Sequence, residues 1–233
     1  MPTSTVAKTF LSSSVVAGLA LAASVVAAPA QALTMSYSGS GFSIPDNNPT
    51  GISSDIVISD NLTISDITVT LNNLSHTWVG DLIATLTNVD TNTSVSLFNR
   101  VGRVGSGVGS SNDFGGNYGF NDAFTGDLWI AASSNPVPSG GYFPTGADSA
   151  ALASPSLSAF DGQLSAGTWR LTISDNLGGD AGSLESWELT VEGASESVPE
   201  PASVLGLLAV GAMGAGSALK RKLGHKAGDD NLN

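Results

Sequence analysis

The stretch Ile67-Thr68-Val69-Thr70-Leu71 alternates apolar and hydroxyl side chains with a period of two. Successive side chains of a strand point to opposite faces, so this spelling predicts a half-buried β-strand and not a helix. The alternation returns in Trp169-Arg170-Leu171-Thr172-Ile173 and in Trp187-Glu188-Leu189-Thr190-Val191. Leu82, Ala84 and Leu86 alternate with Ile83, Thr85 and Thr87, and Val95 and Leu97 flank Ser96. Ile56 with Ile58, Leu128 with Ile130, and Phe160 near Leu164 suggest further strands. Each run is bounded by Asn, Asp, Gly or Ser, which tolerate turn conformations. No segment carries the 3.6-residue period of an amphipathic helix. Short strands separated by turn chemistry predict an all-β body, a sandwich or a barrel, with Trp78, Trp129, Trp169 and Trp187 as large core fillers. Two stretches, Val101 to Tyr118 and Ser133 to Ser156, are rich in small and turn-forming residues and read as long loops.

Charge narrows the function. The body, residues 33–197, holds seventeen acidic and three basic residues (Arg100, Arg103 and Arg170), a net charge of −14. Nucleic-acid binding requires a basic surface, so this balance excludes it. The whole chain of 233 residues has no cysteine, which excludes a disulfide framework, a Cys-ligated metal and a Cys nucleophile.

Both ends differ from the body. Lys8 precedes the 14-residue apolar run Val15 to Ala28, and the small-residue patterns Ala28-Pro29-Ala30 and Ala30-Gln31-Ala32 follow. As a helix, that run would reach about 21 Å, short of a roughly 30 Å bilayer core. Residues 1–32 therefore read as a signal peptide cleaved after Ala32. At the other end, Val198-Pro199-Glu200-Pro201 leads into Ala202 to Leu219, eighteen uncharged residues, and then Lys220-Arg221-Lys222. A helix of that length spans about 27 Å, enough to cross a membrane, and the basic cluster would stay cytoplasmic. A polar tail, 223–233, follows.

The segment 198–222 resembles the PEP-CTERM sorting signal of Gram-negative bacteria, with Pro199, Glu200 and Pro201 as motif and Lys220, Arg221 and Lys222 as basic end. This resemblance implies a transmembrane sorting helix at 202–219 and processing by an exosortase-type enzyme in organisms that make exopolysaccharide. It also implies export to the cell envelope, outer surface or medium after transient anchoring in the inner membrane. The tail beyond Lys222 departs from the family pattern, which stops soon after its basic residues.

The body has its own resemblance. Ser43-Ile44-Pro45-Asp46-Asn47, His76-Thr77-Trp78-Val79-Gly80-Asp81-Leu82 and Phe120-Asn121-Asp122 occur in that order. Phe160-Asp161-Gly162, Gly167-Thr168-Trp169-Arg170-Leu171 and Asp180-Ala181-Gly182-Ser183-Leu184 follow. Together they resemble, over residues 41–193, the P domain (P/Homo B) that follows the catalytic domain in proprotein convertases and bacterial subtilisin-like proteases. The resemblance implies a jelly-roll-like β-sandwich in which His76, Gly80, Asp81, Asn121, Asp122, Gly167 and Trp169 are structural motif residues. It implies no catalysis, because the family's P domain supports a separate protease domain.

Three functions are therefore open. One is a non-catalytic exported module that binds extracellular polysaccharide or a surface protein, or forms a coat. Another is an accessory domain acting in trans on a subtilisin-like protease. The third is a glycan hydrolase using two carboxylates, although nothing selects a pair from seventeen. A serine-hydrolase reading of Ser75, His76 and Asp81 fails because adjacent strand residues face opposite ways, and His76 reads as a turn histidine bonded to backbone. No H-E-x-x-H occurs. Calcium is the one cofactor to weigh, since Asp81, Asp122, Asp175 and Asp180 lie in Asn- and Gly-rich turns that offer hard oxygen ligands. The competing expectation is that the Asp81 and Asp122 carboxylates accept backbone N–H bonds within their own turns.

Overall fold

A computed structural model describes residues 32–147, 153 and 155–195. All of them belong to one compact unit, Pro29–Val198. The body is all-β, as the alternation predicts. One sheet has five strands, β1 (Ala32–Ile44), β9 (Gly182–Ser195), β3 (Leu62–His76), β6 (Phe114–Phe120) and β7 (Gly140–Tyr142), in that spatial order. The other has four, β2 (Ile52–Ile58), β8 (Gly167–Asp175), β4 (Leu82–Asn88) and β5 (Thr93–Asn99). Neighbours run antiparallel except β6 and β7, which are parallel.

The period-two spelling becomes burial. In β4, Leu82, Ala84 and Leu86 are buried while Ile83, Thr85 and Thr87 are half-buried. Val69, Leu71, Leu171, Ile173, Leu189 and Val191 are buried and join side chains of both sheets in one apolar core. Trp169 and Trp187 are fully buried, and each finds a partner for its indole N–H: the Ser165 carbonyl at 2.8 Å and the Ser54 hydroxyl at 3.1 Å. The second bond joins β9 of one sheet to β2 of the other. Trp78 and Trp129 are only half-buried, a departure from the expectation that all four tryptophans fill the core.

Where spelling and structure part, local chemistry decides. Leu128–Ala131 is a helical turn and not a strand, because the Asp127 carboxylate caps it, accepting from the amides of Trp129 at 2.8 Å and Ile130 at 3.3 Å. Leu157–Phe160 is likewise a 3-10 turn. Both stretches read as loops carry strands, β6 in the first and β7 in the second. In β5 a register shift at Ala84/Thr85 lets Leu97 and Phe98 both face the core, as a bulge permits. In β3, Asn73 adopts a φ of +49° where the register with β6 shifts, a conformation asparagine tolerates better than most residues.

The expected signal peptide and the sorting helix 202–219 lie outside the described residues. Among those described, no helix is long and apolar enough to cross a membrane.

Candidate functional site

Alternation along β8 breaks at its C-terminal end, where Ser174 and Asp175 are both buried. Across from this end, in the other sheet, β3 closes on His76, which is 1% exposed. The His76 ring bridges the sheets. Its Nε2 lies 3.1 Å from Asp175 Oδ2, and its Nδ1 receives the Trp78 amide at 3.1 Å. Nδ1 also lies 3.0 Å from the Trp78 carbonyl, so the backbone of Trp78 holds this side of the ring with both its polar groups. The remaining Asp175 oxygen accepts the Leu177 amide at 3.2 Å. Gly182, paired with His76 in β9, has no room for a Cβ, which would meet the Ser75 carbonyl and the imidazole ring. Glycine there is what lets the imidazole lie against the strand.

The chain leaves β3 through a 3-10 turn, Val79–Asp81, before crossing to β4. Gly80 in this turn and Gly109 in the loop between β5 and β6 touch backbone to backbone, and a Cβ on Gly80 would meet Gly109 Cα at 2.7 Å. The turn delivers Asp81 to the buried end of β8, 2% exposed. Burial pushes the Asp81 carboxyl up to about 6, the nearby charge of Asp175 adds to this, and Arg100 opposes it. Its Oδ1 receives no hydrogen bond and lies 3.7 Å from Arg100 Nη2. Arg100 Nε donates to the Gly80 carbonyl at 2.9 Å. The Asp81 carbonyl accepts from the Asn176 amide and side chain, both at 3.0 Å. At the rim, the Thr77 hydroxyl donates to Asp180 Oδ1 at 2.7 Å, and the Gly179 amide donates to Asp46 Oδ1 at 2.9 Å.

The structure thus gathers Asp81, Asp175 and Asp180 at one end of the body and leaves Asp122 elsewhere. Asp122 accepts the amides of Leu157 at 3.0 Å and Ser158 at 2.9 Å, and so holds the 3-10 turn that begins there. Those donors stand 35 and 36 residues on, not in its own turn as expected. Asp81 departs further, since among the described residues no backbone amide bonds its Oδ1, which faces Arg100 instead. Among the described residues, no group of three or more His, Cys, Asp or Glu side chains has the arrangement to hold a metal ion.

The other motif residues act locally. Asn121 uses its amide nitrogen on Asp66 Oδ2 (2.7 Å) and Thr68 Oγ1 (2.9 Å), and its oxygen on the Ala123 amide (2.7 Å), which fastens the loop after β6 to β3. Burial, then Asp66 and Asp122, raise the carboxyl of nearby Asp161. Gly167 opens β8 with a φ of +133°. Sequence reasoning missed the His76–Asp175 pair, because 99 residues separate its members. The one local signal was polar spelling, Ser174-Asp175, where the alternation of β8 called for a surface residue only once.

Both imidazole nitrogens are engaged and the ring is sealed from solvent, so His76 has no free lone pair to take a proton from a substrate. What the arrangement does is tie the two sheets together beneath a surface rimmed by Trp78 and Asp180.

The model of the proprotein convertase P-domain matches residues 145–191, which include β8 and most of β9. The model of the PEP-CTERM protein-sorting motif matches residues 197–222. The chain carries both. Similar solved structures include the Aeromonas sobria serine protease in complex with the chaperone ORF2, at 20% identity and TM-score 0.41, covering 71% of this chain and 27% of that one. The serine protease of Aeromonas sobria without it aligns at 20% identity and TM-score 0.38, covering 75% and 29%. This chain spans less than a third of the length of either. No curated protein matches it.

Proposed function

We propose that this chain is an exported, non-catalytic module of the P-domain type. In this reading an exosortase-type enzyme sorts it to the cell envelope or outer surface, where it binds a partner or builds structure. The observation that carries this is the PEP-CTERM match at 197–222, which begins directly after β9 ends at Ser195. A jelly roll is the topology this reading assigns to the body. The strand order supports it: without β7, the sheets read 1-9-3-6 and 2-8-4-5, two four-stranded layers of the kind that jelly rolls pair.

Fractionation of cells expressing the chain with Pro199, Glu200 and Pro201 all changed to alanine tests the sorting. The unaltered chain is expected in the envelope or medium at reduced mass, and the variant retained in the inner membrane at full mass. Identical location and mass for both would overturn the reading.

The P-domain match at 145–191 supports a second reading, in which the module steadies a separate subtilisin-like protease in trans. Co-purification of a protease with the envelope-derived chain, and slower thermal inactivation of that protease when the chain is added, are its expected signs.

A further inference from the structure

Beside the His76–Asp175 pair lies a cavity of about 200 Å³ that the interaction just described does not use. Trp78, Val108 and Leu177 form its apolar walls, and Asp81, Gly178 and Asp180 complete the lining. Trp78 is fixed by its own indole N–H, which donates to the Val108 carbonyl at 3.4 Å. Asp180 is fixed by the Thr77 hydroxyl. Asp81 is 2% exposed, and its Oδ1 has no hydrogen-bond donor, with Arg100 Nη2 no nearer than 3.7 Å. The Asp81 carboxylate is ion-paired with Arg100 from within the body, and half-buried Asp180 brings a second carboxylate to the cavity.

We infer that this cavity is a binding pocket for a single long basic side chain, lysine or arginine, presented by a partner protein. The inference rests on the binding role proposed above and names the partner's chemistry. Three features select this class of ligand. An indole face attracts an ammonium or guanidinium group. Asp180, which has no basic partner among the described residues, gives that group its counter-charge. The Val108 and Leu177 walls suit the alkyl stem that lysine and arginine lay along apolar surface while the charged head reaches polar partners. A divalent cation fits less well. It needs six or more oxygen ligands, gains nothing from an indole, and finds no qualifying cluster of acidic side chains among the described residues. The body has no lysine of its own, Arg170 is engaged with Asp55 at 2.8 Å and Arg100 with Asp81 at 3.7 Å, and among the described residues no basic side chain pairs with Asp180.

The test uses the full chain in a non-ionic detergent, with the sorting motif intact, at about 0.15 M salt where exposed charges are screened. Tryptophan fluorescence is followed during titration with N-acetyl-lysine amide, N-acetyl-arginine amide and the neutral control N-acetyl-norleucine amide. Both cationic probes are expected to give a saturable change that norleucine does not. Trp78→Leu, which removes the reporting indole, is read by titration calorimetry and is expected to abolish cation binding. Asp180→Asn is expected to weaken binding about fivefold or more, as befits loss of one charge-assisted contact, without lowering the melting temperature. Val108→Ala, at an exposed wall, gives a second variant that leaves the fold intact and is expected to weaken binding. Equal response to norleucine, no saturation with either cation, or undiminished binding by Asp180→Asn would overturn the inference. So would displacement of the cationic probe by low-millimolar calcium chloride, which would identify a metal site. Because these titrations use purified protein with Pro199-Glu200-Pro201 unchanged, they fail or succeed independently of the fractionation experiment.

Discussion

Two contacts between a carboxylate and a nitrogen base, one to an imidazole and one to a guanidinium, stand in opposite settings in this body. Asp175 and His76 meet at 3.1 Å with side chains fully enclosed, whereas Asp55 and Arg170 meet at 2.8 Å on the outside of the four-stranded sheet with side chains 37% and 43% exposed. The exposed pair has the better geometry, a fork with both carboxylate oxygens engaged. It nevertheless decides little, because water and salt screen it and two mobile side chains must be ordered to form it. The buried pair joins β3 to β8, one strand from each sheet, and neither member has water to fall back on. Burial, not bond length, decides which pair the fold depends on.

The sharpest way to break this contrast is to remove one buried partner. His76→Ala leaves Asp175 enclosed without its counterpart and opens a hole in the core. Urea denaturation should register a loss of about 3–5 kcal/mol. A loss under about 1 kcal/mol would mean that solvent reaches Asp175 after all.

Asp81 sharpens the contrast through pH. Its folded-state pKa of about 6 lies above the ordinary 3.8, so the folded chain binds this proton more tightly than the unfolded chain. Stability attributable to Asp81 therefore rises as the pH falls from above 6 towards 4, by roughly 2–3 kcal/mol at most. Denaturation at pH 5 and 7.5 should show this rise, and Asp81→Asn should flatten it while raising stability at the higher pH. Asp55 works in the opposite sense: Arg170 holds its carboxyl below the usual range, so its small contribution is present near neutrality and fades as the pH falls through the acid range. An unchanged pH slope in Asp81→Asn would assign the effect to another group, with Asp161 the next raised carboxyl to change.

Smaller again is Asp122→Ala, which strips two amide bonds from the Leu157 turn. A loss of about 1–2 kcal/mol is expected, of the size seen for helix caps, and hydrogen exchange should speed at Leu157 and Ser158 before anywhere else. Smallest is the Asp55/Arg170 double-mutant cycle. It is expected to give a coupling at the limit of detection that vanishes in high salt. A coupling comparable to the His76 effect would remove the distinction between the two pairs.

The contrast also explains what could be read from the sequence. Strands β3, β4, β8 and β9 are legible because one face of each is buried and period-two spelling records that fact. β1 is not, because the first half of Ala32–Ile44 is exposed on both faces and its serines and glycines carry no alternation. The helical turn at Leu128 is hidden because four residues are fewer than a helical pattern needs, and only Asp127 announces it. For the site, residue types were legible and partnership was not. Asp81, Asp175 and Asp180 can be picked out as oxygen ligands from composition, yet only the crossing from one sheet to the other puts them together and sends Asp122 away. His76 reads as a turn histidine, and its backbone contact is local. Its defining partner lies 99 residues away, beyond any periodicity.

β9 runs from Gly182, beside His76 and the Trp78 cavity, to Ser195, where the body hands over to the sorting segment. Its fourteen residues span roughly 45 Å, and β1 and β3 flank it on either side. Tension applied at Ser195 would pull along that inner strand, loading its ladders of bonds to both neighbours in shear rather than peeling them one at a time. A body loaded in that way would resist being dragged open, because both ladders would have to give at once.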